Sequence, residues 1–266
     1  MGSDISDRPC GPSLLRLVSG ILVLACFAPH AGSAEPPPRL LVPAVADLAG
    51  AEAAWSRAAR IELSDFWKQK SHLSEPTEVL LFNTGRALRV RFLAEDSDIR
   101  ADPARPRDGD TYHDDCVEIF FARPEASVAE GIGLEISAAG VVSDMRVWRR
   151  DKLDHGWDSR AALVDGHPDA TVPFTIHRVP SLRPFGGKDA VGAGWMLEIE
   201  FPWSYLCREL GLPDPGDGPP ARLRANFARW DYGAAGRMFT IWSDSGLPLP
   251  SPHVPGRYGW LMLSKE

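Results

Sequence analysis

Asp110-Thr-Tyr-His-Asp-Asp-Cys-Val-Glu-Ile-Phe-Phe121 runs from a polar loop into a strand. Cys116 to Phe121 is rich in β-branched and aromatic residues, the composition of a buried strand, with a single carboxylate, Glu118, in its middle. On an extended chain Glu118 shares a face with Asp114, Cys116 and Phe120. A carboxylate in that setting needs hydrogen-bond partners or a ligand, because burying it bare costs on the order of several kcal/mol. Tyr112 lies in the polar loop just ahead. Full extension from Tyr112 to Glu118 would separate them by about 20 Å, so both can touch one ligand only if the loop bends back.

Outward from this segment the chain reads mostly as strands. Thr77–Phe82 and Leu88–Ala94 flank Asn83-Thr-Gly85, and 133–137 and 141–148 flank Ala138-Ala-Gly140, two hairpin signals. Leu88, Val90 and Phe92 alternate with Arg89 and Arg91, which predicts one buried and one wet face. Trp195-Met-Leu-Glu-Ile-Glu-Phe201 alternates most cleanly, with Met196, Glu198 and Glu200 expected outward. Arg222–Arg229, Phe239–Trp242 and Gly259–Leu263 complete about nine or ten strands. Two short helices are expected, at Ala51–Arg60 and, after Pro202, at Trp203–Leu210. Pro180–Gly194 and Pro213–Pro220 read as Gly/Pro-rich loops. The fold class is all-β, an antiparallel β-sandwich of two sheets.

Residues 1–34 read as a targeting segment. Arg8 and Arg16 precede the apolar run Leu17–Ala28, and Gly32-Ser-Ala34 offers a cleavage point before Glu35. Val23-Leu-Ala-Cys26 also fits a lipoprotein signal ending before Cys26, which would then carry a lipid anchor. Either route places the protein outside the cytoplasm, secreted or periplasmic, and membrane-anchored in the lipoprotein case. Residues 35–266 are expected to form one domain, acting as a monomer. Formal net charge is −7, which argues against nucleic acid as a partner. Cys116 and Cys207 are open to pairing, with buried free thiols as the plainer reading.

The chain resembles the family 9 carbohydrate-binding modules, appendages of xylanases, from about Trp55 to Leu263. The resemblance rests on Asp115-Cys-Val-Glu-Ile-Phe120, Trp195 with Glu198-Ile-Glu-Phe-Pro-Trp203, Asn226, Trp242-Ser-Asp244 and Arg257-Tyr-Gly-Trp-Leu-Met-Leu263. It implies a β-sandwich without catalysis, associated with polysaccharide degradation, that clamps a sugar between two aromatic rings and holds structural calcium. The clamp positions fall on Tyr112, a smaller ring than the family's Trp, and on Trp242.

Sugar recognition requires flat apolar faces together with planar hydrogen-bonding groups. Tyr112 and Trp242 are therefore the candidate stacking rings, with Glu118, Asn226 and Arg229 for the hydroxyls of a poly- or oligosaccharide. Glu118 has a structural alternative, a salt bridge to an arginine of the Arg222–Arg229 strand. Among the acidic residues before the key strand, Asp96, Asp98, Asp110 and Asp114 are candidate Ca²⁺ ligands by their hard oxygens. Hydrolysis is not expected. Asp115 and Glu118 point to opposite faces, Asp114 and Glu118 stand about 13 Å apart along one strand, and no nucleophile elbow or phosphate loop occurs. Two other readings keep the same architecture. One is a b-type haem electron-transfer domain outside the cytoplasm, using Met145, Met238 or His253. The other is a cell-surface interaction module with an eroded sugar site.

Overall fold

A computed structural model describes residues 35–45, 52–67, 73–125, 130–148, 153–160, 162–163, 175–179, 194–216, 218–233 and 236–265. Residues 1–34, expected as a targeting segment and including Cys26, lie outside the described residues. Glu35–Glu266 clusters as one compact unit.

Two sheets pack face to face. The nine-stranded sheet runs in the order β1 (Arg39–Val42), β15 (Gly259–Leu263), β13 (Arg222–Gly233), β6 (Cys116–Ala122), β7 (Glu130–Ser137), β8 (Val142–Trp148) and β9 (Leu153–Asp154). Beside that path β14 (Gly236–Ile241) pairs with β13 and with β3 (Ser64–Asp65). The six-stranded sheet runs β10 (Ala162–Leu163), β11 (Thr175–Val179), β12 (Gly194–Pro202), β5 (Ala87–Glu95), β4 (Thr77–Asn83) and β2 (Ala59–Glu62). Pairing is antiparallel except β1 with β15 and β10 with β11. The all-β sandwich read from the sequence is thus the observed fold.

Alternation makes the core. Val117, Ile119 and Phe121 of β6, Ile132, Leu134 and Ile136 of β7, and Leu223, Ala225 and Phe227 of β13 meet Val79, Val90, Phe92, Leu197 and Phe201 from the other sheet. Both predicted hairpins form, with Gly85 at φ +75° and Gly140 at φ +87°, a region that suits glycine. All seven residues of β6 are buried, so the outer face of the larger sheet is also covered there.

Several expectations are corrected. The first helix is only α1 (Glu52–Trp55), and Ala59–Glu62 is strand β2 because its backbone pairs with β4. The second, α2 (Trp203–Glu209), stands close to its expected span. Arg91 is buried rather than wet: its guanidinium lies 4.2 Å over the Trp55 ring and pairs with Glu52 at 2.8 Å and Glu198 at 2.5 Å. Met196 is likewise buried. Fifteen strands form among the described residues, not nine or ten. The extra ones are two- to five-residue pieces, too short to show alternation. Cys116 and Cys207 are buried free thiols, one under Trp230 and Phe239 on the larger sheet, the other on α2.

Candidate functional site

The outer face of the larger sheet carries a cavity of about 770 Å³. Its lining includes Tyr112, Glu118, Glu135, Trp230, Arg237, His155 and His253, with Asp108 and Asp110 also on it. Tyr112 and Glu118 therefore do come together. The bend is a single 3₁₀ turn over Thr111–His113, pinned where the Thr111 hydroxyl donates to Glu135 Oε2 at 2.6 Å. The Tyr112 carbonyl accepts from Tyr232 Oη at 2.8 Å and from Arg237 Nη2 at 3.2 Å.

Glu118 and Glu135 stand directly opposite each other on β6 and β7, both at most 5 % exposed. The Trp230 side chain hydrogen-bonds Glu118, and burial followed by the charge of Glu135 pushes the Glu118 carboxyl well above the usual carboxylate range. Burial pushes Glu135 up to about 7, against the Thr111 hydrogen bond. Glu118 Oε2 has no hydrogen-bond partner. Arg237 lies 3.5 Å over the Trp230 ring and 5.5 Å from Tyr112, and its Nε is also unpartnered. Burial lowers His253 to about 4, so it is neutral at pH 7. The cavity wall thus holds two buried polar atoms without partners, Glu118 Oε2 and Arg237 Nε, beside an aromatic ring, and sugar hydroxyls can satisfy both.

The remaining sequence candidates do not join this cavity. Trp242 lines a separate one of about 630 Å³, with Phe66, Trp67, Asp65 and Asp244. Its indole packs 5.7 Å from Phe227 and so close to Gly259 that a Cβ there would meet the ring at 2.5 Å. Asn226 is spent on the backbone: its oxygen accepts from Ser243 N at 2.9 Å and its nitrogen donates to the Ser243 carbonyl at 3.0 Å. Arg229 faces the sandwich interior. It donates to Thr77 Oγ1 at 3.0 Å and to the Glu95 carbonyl at 2.6 Å, and pairs with Asp96 at 3.0 Å and Asp231 at 3.4 Å. That places it across the two sheets, as a clamp between them. The proposed arginine partner of Glu118 on β13 is not found, since Ala228 sits opposite Glu118.

Of the candidate calcium ligands, Asp98 pairs with Arg100 at 2.6 Å and Asp114 is bound bidentately by Arg105 at 2.8 and 2.7 Å. Asp110 lines the cavity. Only Asp96 belongs to a cluster: ligand oxygens of Glu75, Asp96 and Asp231 lie within 4.8 Å of one another. Hard oxygens with a three-to-one excess of acid over Arg229 fit Ca²⁺ chemically. Of the possible haem ligands only His253 lines the cavity. Met145 is packed with Phe120 and Tyr258, and Met238 is buried.

Glu135, Trp230 and Arg237 were not singled out from the sequence. Glu135 carried the same signal as Glu118, an acid between Leu134 and Ile136 in a strand.

The fold is a two-sheet β-sandwich with a cavity on the outer face of its larger sheet. The chain matches a candidate carbohydrate-binding protein from Bacteroides uniformis with TM-score 0.62 at 18% identity, covering 86% of this chain and 100% of that one. It also matches a family 9 carbohydrate-binding module from Caldicellulosiruptor kristjanssonii in complex with cellotriose, with TM-score 0.52 at 12% identity over 86% and 94% of the two chains. The same type of module bound to glucose gives TM-score 0.50 at 11% identity, over 86% and 96%. At these identities the likeness establishes the fold, which is that of the family 9 modules. No family profile matches the chain, and no curated protein matches it. Among the described residues, no helix is long and apolar enough to cross a membrane.

Proposed function

We propose that the protein is a non-catalytic binder of poly- or oligosaccharide outside the cytoplasm, acting in polysaccharide breakdown. The observation that carries this is the pairing of unpartnered Glu118 Oε2 with unpartnered Arg237 Nε in one cavity beside Tyr112. A sugar hydroxyl accepts from the guanidinium, the protonated Glu118 carboxyl donates to the same or a neighbouring hydroxyl, and a hydroxyl proton meets Glu135. Tyr112 supplies the ring against which the sugar's C–H face lies. Trp230 orients Glu118 and carries Arg237. The fold shared with modules crystallised with cellotriose and glucose supports the same ligand class. The expected structural calcium would be held by Glu75, Asp96 and Asp231, a reading supported by their oxygens lying within 4.8 Å of one another.

Calorimetry with cello-, xylo- and manno-oligosaccharides tests the reading. Tyr112→Ala and Glu118→Leu are expected to weaken binding by at least about 1 kcal/mol each, the scale of a lost stacking contact or hydrogen bond. Trp242→Ala should leave affinity unchanged. Binding that survives both cavity variants but disappears with Trp242→Ala would move the site to the other cavity. Failure of every saccharide tested would end the proposal.

A further inference from the structure

The outer face of β1, β15 and β13 is a second feature, away from the cavity lining. Arg39, Trp260 and Arg224 are in cross-strand register, and Leu41, Met262 and Arg222 form the next row. Residues paired in register share a face of the sheet. The guanidiniums of Arg224 and Arg222 lie 4.0 and 5.0 Å from the centre of the Trp260 ring. Arg39 and Arg222 are exposed. Among the described residues none of the three arginines has a carboxylate within salt-bridge distance; Arg224 donates only to the carbonyls of Pro124, Gly256 and Tyr258. Elsewhere on this acidic chain arginines are paired with an aspartate or glutamate, as Arg91, Arg105, Arg107 and Arg229 are. Burial lowers the Arg224 pKa, with the neighbouring Arg222 charge adding to it.

We propose that Arg39, Arg222 and Arg224, grouped around Trp260, form a binding surface for an acidic polysaccharide whose uronate carboxylates dock on the forks of the two exposed arginines, Arg39 and Arg222, with Arg224 adding positive charge beneath them. Planar carboxylates match guanidinium geometry bidentately. Arg39 and Arg224 stand two strand spacings apart, about 10 Å, which suits a linear polymer presenting charges at intervals. Trp260 keeps two of the guanidiniums in place before the ligand arrives. The formal net charge of −7 repels a polyanion at long range, so any binding has to come from this local patch. The surface is independent of the sugar cavity and does not rest on its assignment.

The test is affinity electrophoresis and calorimetry of the protein with polygalacturonate, with its neutral methyl ester, and with vesicles of anionic phospholipid. Polygalacturonate should bind at low salt and its methyl ester should not. The double reversal Arg39→Glu with Arg222→Glu, at two exposed positions, should weaken binding at least about tenfold, and raising salt to about 0.5 M should do the same. Trp260→Ala should weaken it too, and Tyr112→Ala should not. No binding of polygalacturonate, equal binding of the methyl ester, or binding indifferent to the reversal would overturn the proposal. So would loss of binding in Tyr112→Ala with retention in the reversal variant, an outcome that leaves the cavity reading standing. Binding to the vesicles with polygalacturonate ignored would reassign the face to a membrane.

Discussion

Replacing Glu135 by glutamine should make the protein more stable at alkaline pH and change its pH response. The wild-type carboxyl is buried opposite Glu118 and titrates at about 7 in the fold, against an ordinary value of 4.5. Because its folded pKa is raised, the native state binds the proton more tightly than the unfolded chain. Its contribution is fully present below about pH 4.5 and is lost as pH rises through about 7. The difference between 4.5 and about 7 corresponds to about 3 kcal/mol. An amide of the same shape keeps the acceptor for Thr111 and has no charge to lose. Glu135→Gln and wild type should therefore differ little near pH 4.5. Near pH 8 the variant should melt about 6–12 °C higher, at roughly 2–4 °C per kcal/mol for a domain of this size. Asp115, also pushed up to about 7 by burial, titrates in both proteins and cancels in the difference. Differential scanning calorimetry across this range decides it. A wild-type melting temperature that tracks the variant's, in parallel from about pH 4.5 to about pH 8, would refute the buried, proton-sharing environment.

Two further outcomes follow from the inter-sheet clamp. Arg229→Ala should destabilise the fold by about 3–5 kcal/mol, since it strands Asp96 and Asp231 in the interior, and denaturant titration measures this. If Glu75, Asp96 and Asp231 hold calcium, adding it at about 100 times its Kd should stabilise the protein by about 2.7 kcal/mol, and EGTA should reverse the gain; a melting temperature indifferent to both rules the ion out at this cluster.

The architecture was legible because alternation reports directly on which face of a strand is buried. Trp195–Phe201 and Leu88–Phe92 read correctly at their core positions, Leu197, Phe201, Val90 and Phe92. Arg91 did not, because a charged side chain at an outward position says nothing about whether a helix will cover it. Here Glu52 and Trp55 of α1 do. The site was legible in part. Tyr112 and Glu118 were reached from one continuous segment, but the 3₁₀ turn that unites them depends on Thr111 finding Glu135 on another strand. Parity held more information about β13. Asn226 and Arg229 are three residues apart in one strand and point to opposite faces. Trp230, in step with Asn226 and opposite Cys116, was the residue placed to meet Glu118. Arg237 carried no local signal, since only the β13–β14 hairpin brings it over Trp230.

The adjacent carboxylates invite comparison with a hydrolase. Residues in register on antiparallel neighbours have Cβ atoms about 5 Å apart, and a retaining glycosidase separates its carboxyl groups by a similar amount. The dispositions differ. Such an enzyme sets its two groups to flank the scissile bond, acid on one side and nucleophile on the other. Glu118 and Glu135 rise side by side from one face of one sheet, so a sugar ring lying over them has both beneath it. Each is also tied down, Glu118 by the Trp230 side chain and Glu135 by the Thr111 hydroxyl. On the proposed reading the raised proton affinities serve recognition. A protonated Glu118 donates, an ionised Glu135 accepts, and Arg237 donates from above. Neighbouring hydroxyls, which are donor and acceptor at once, are the complement of that set.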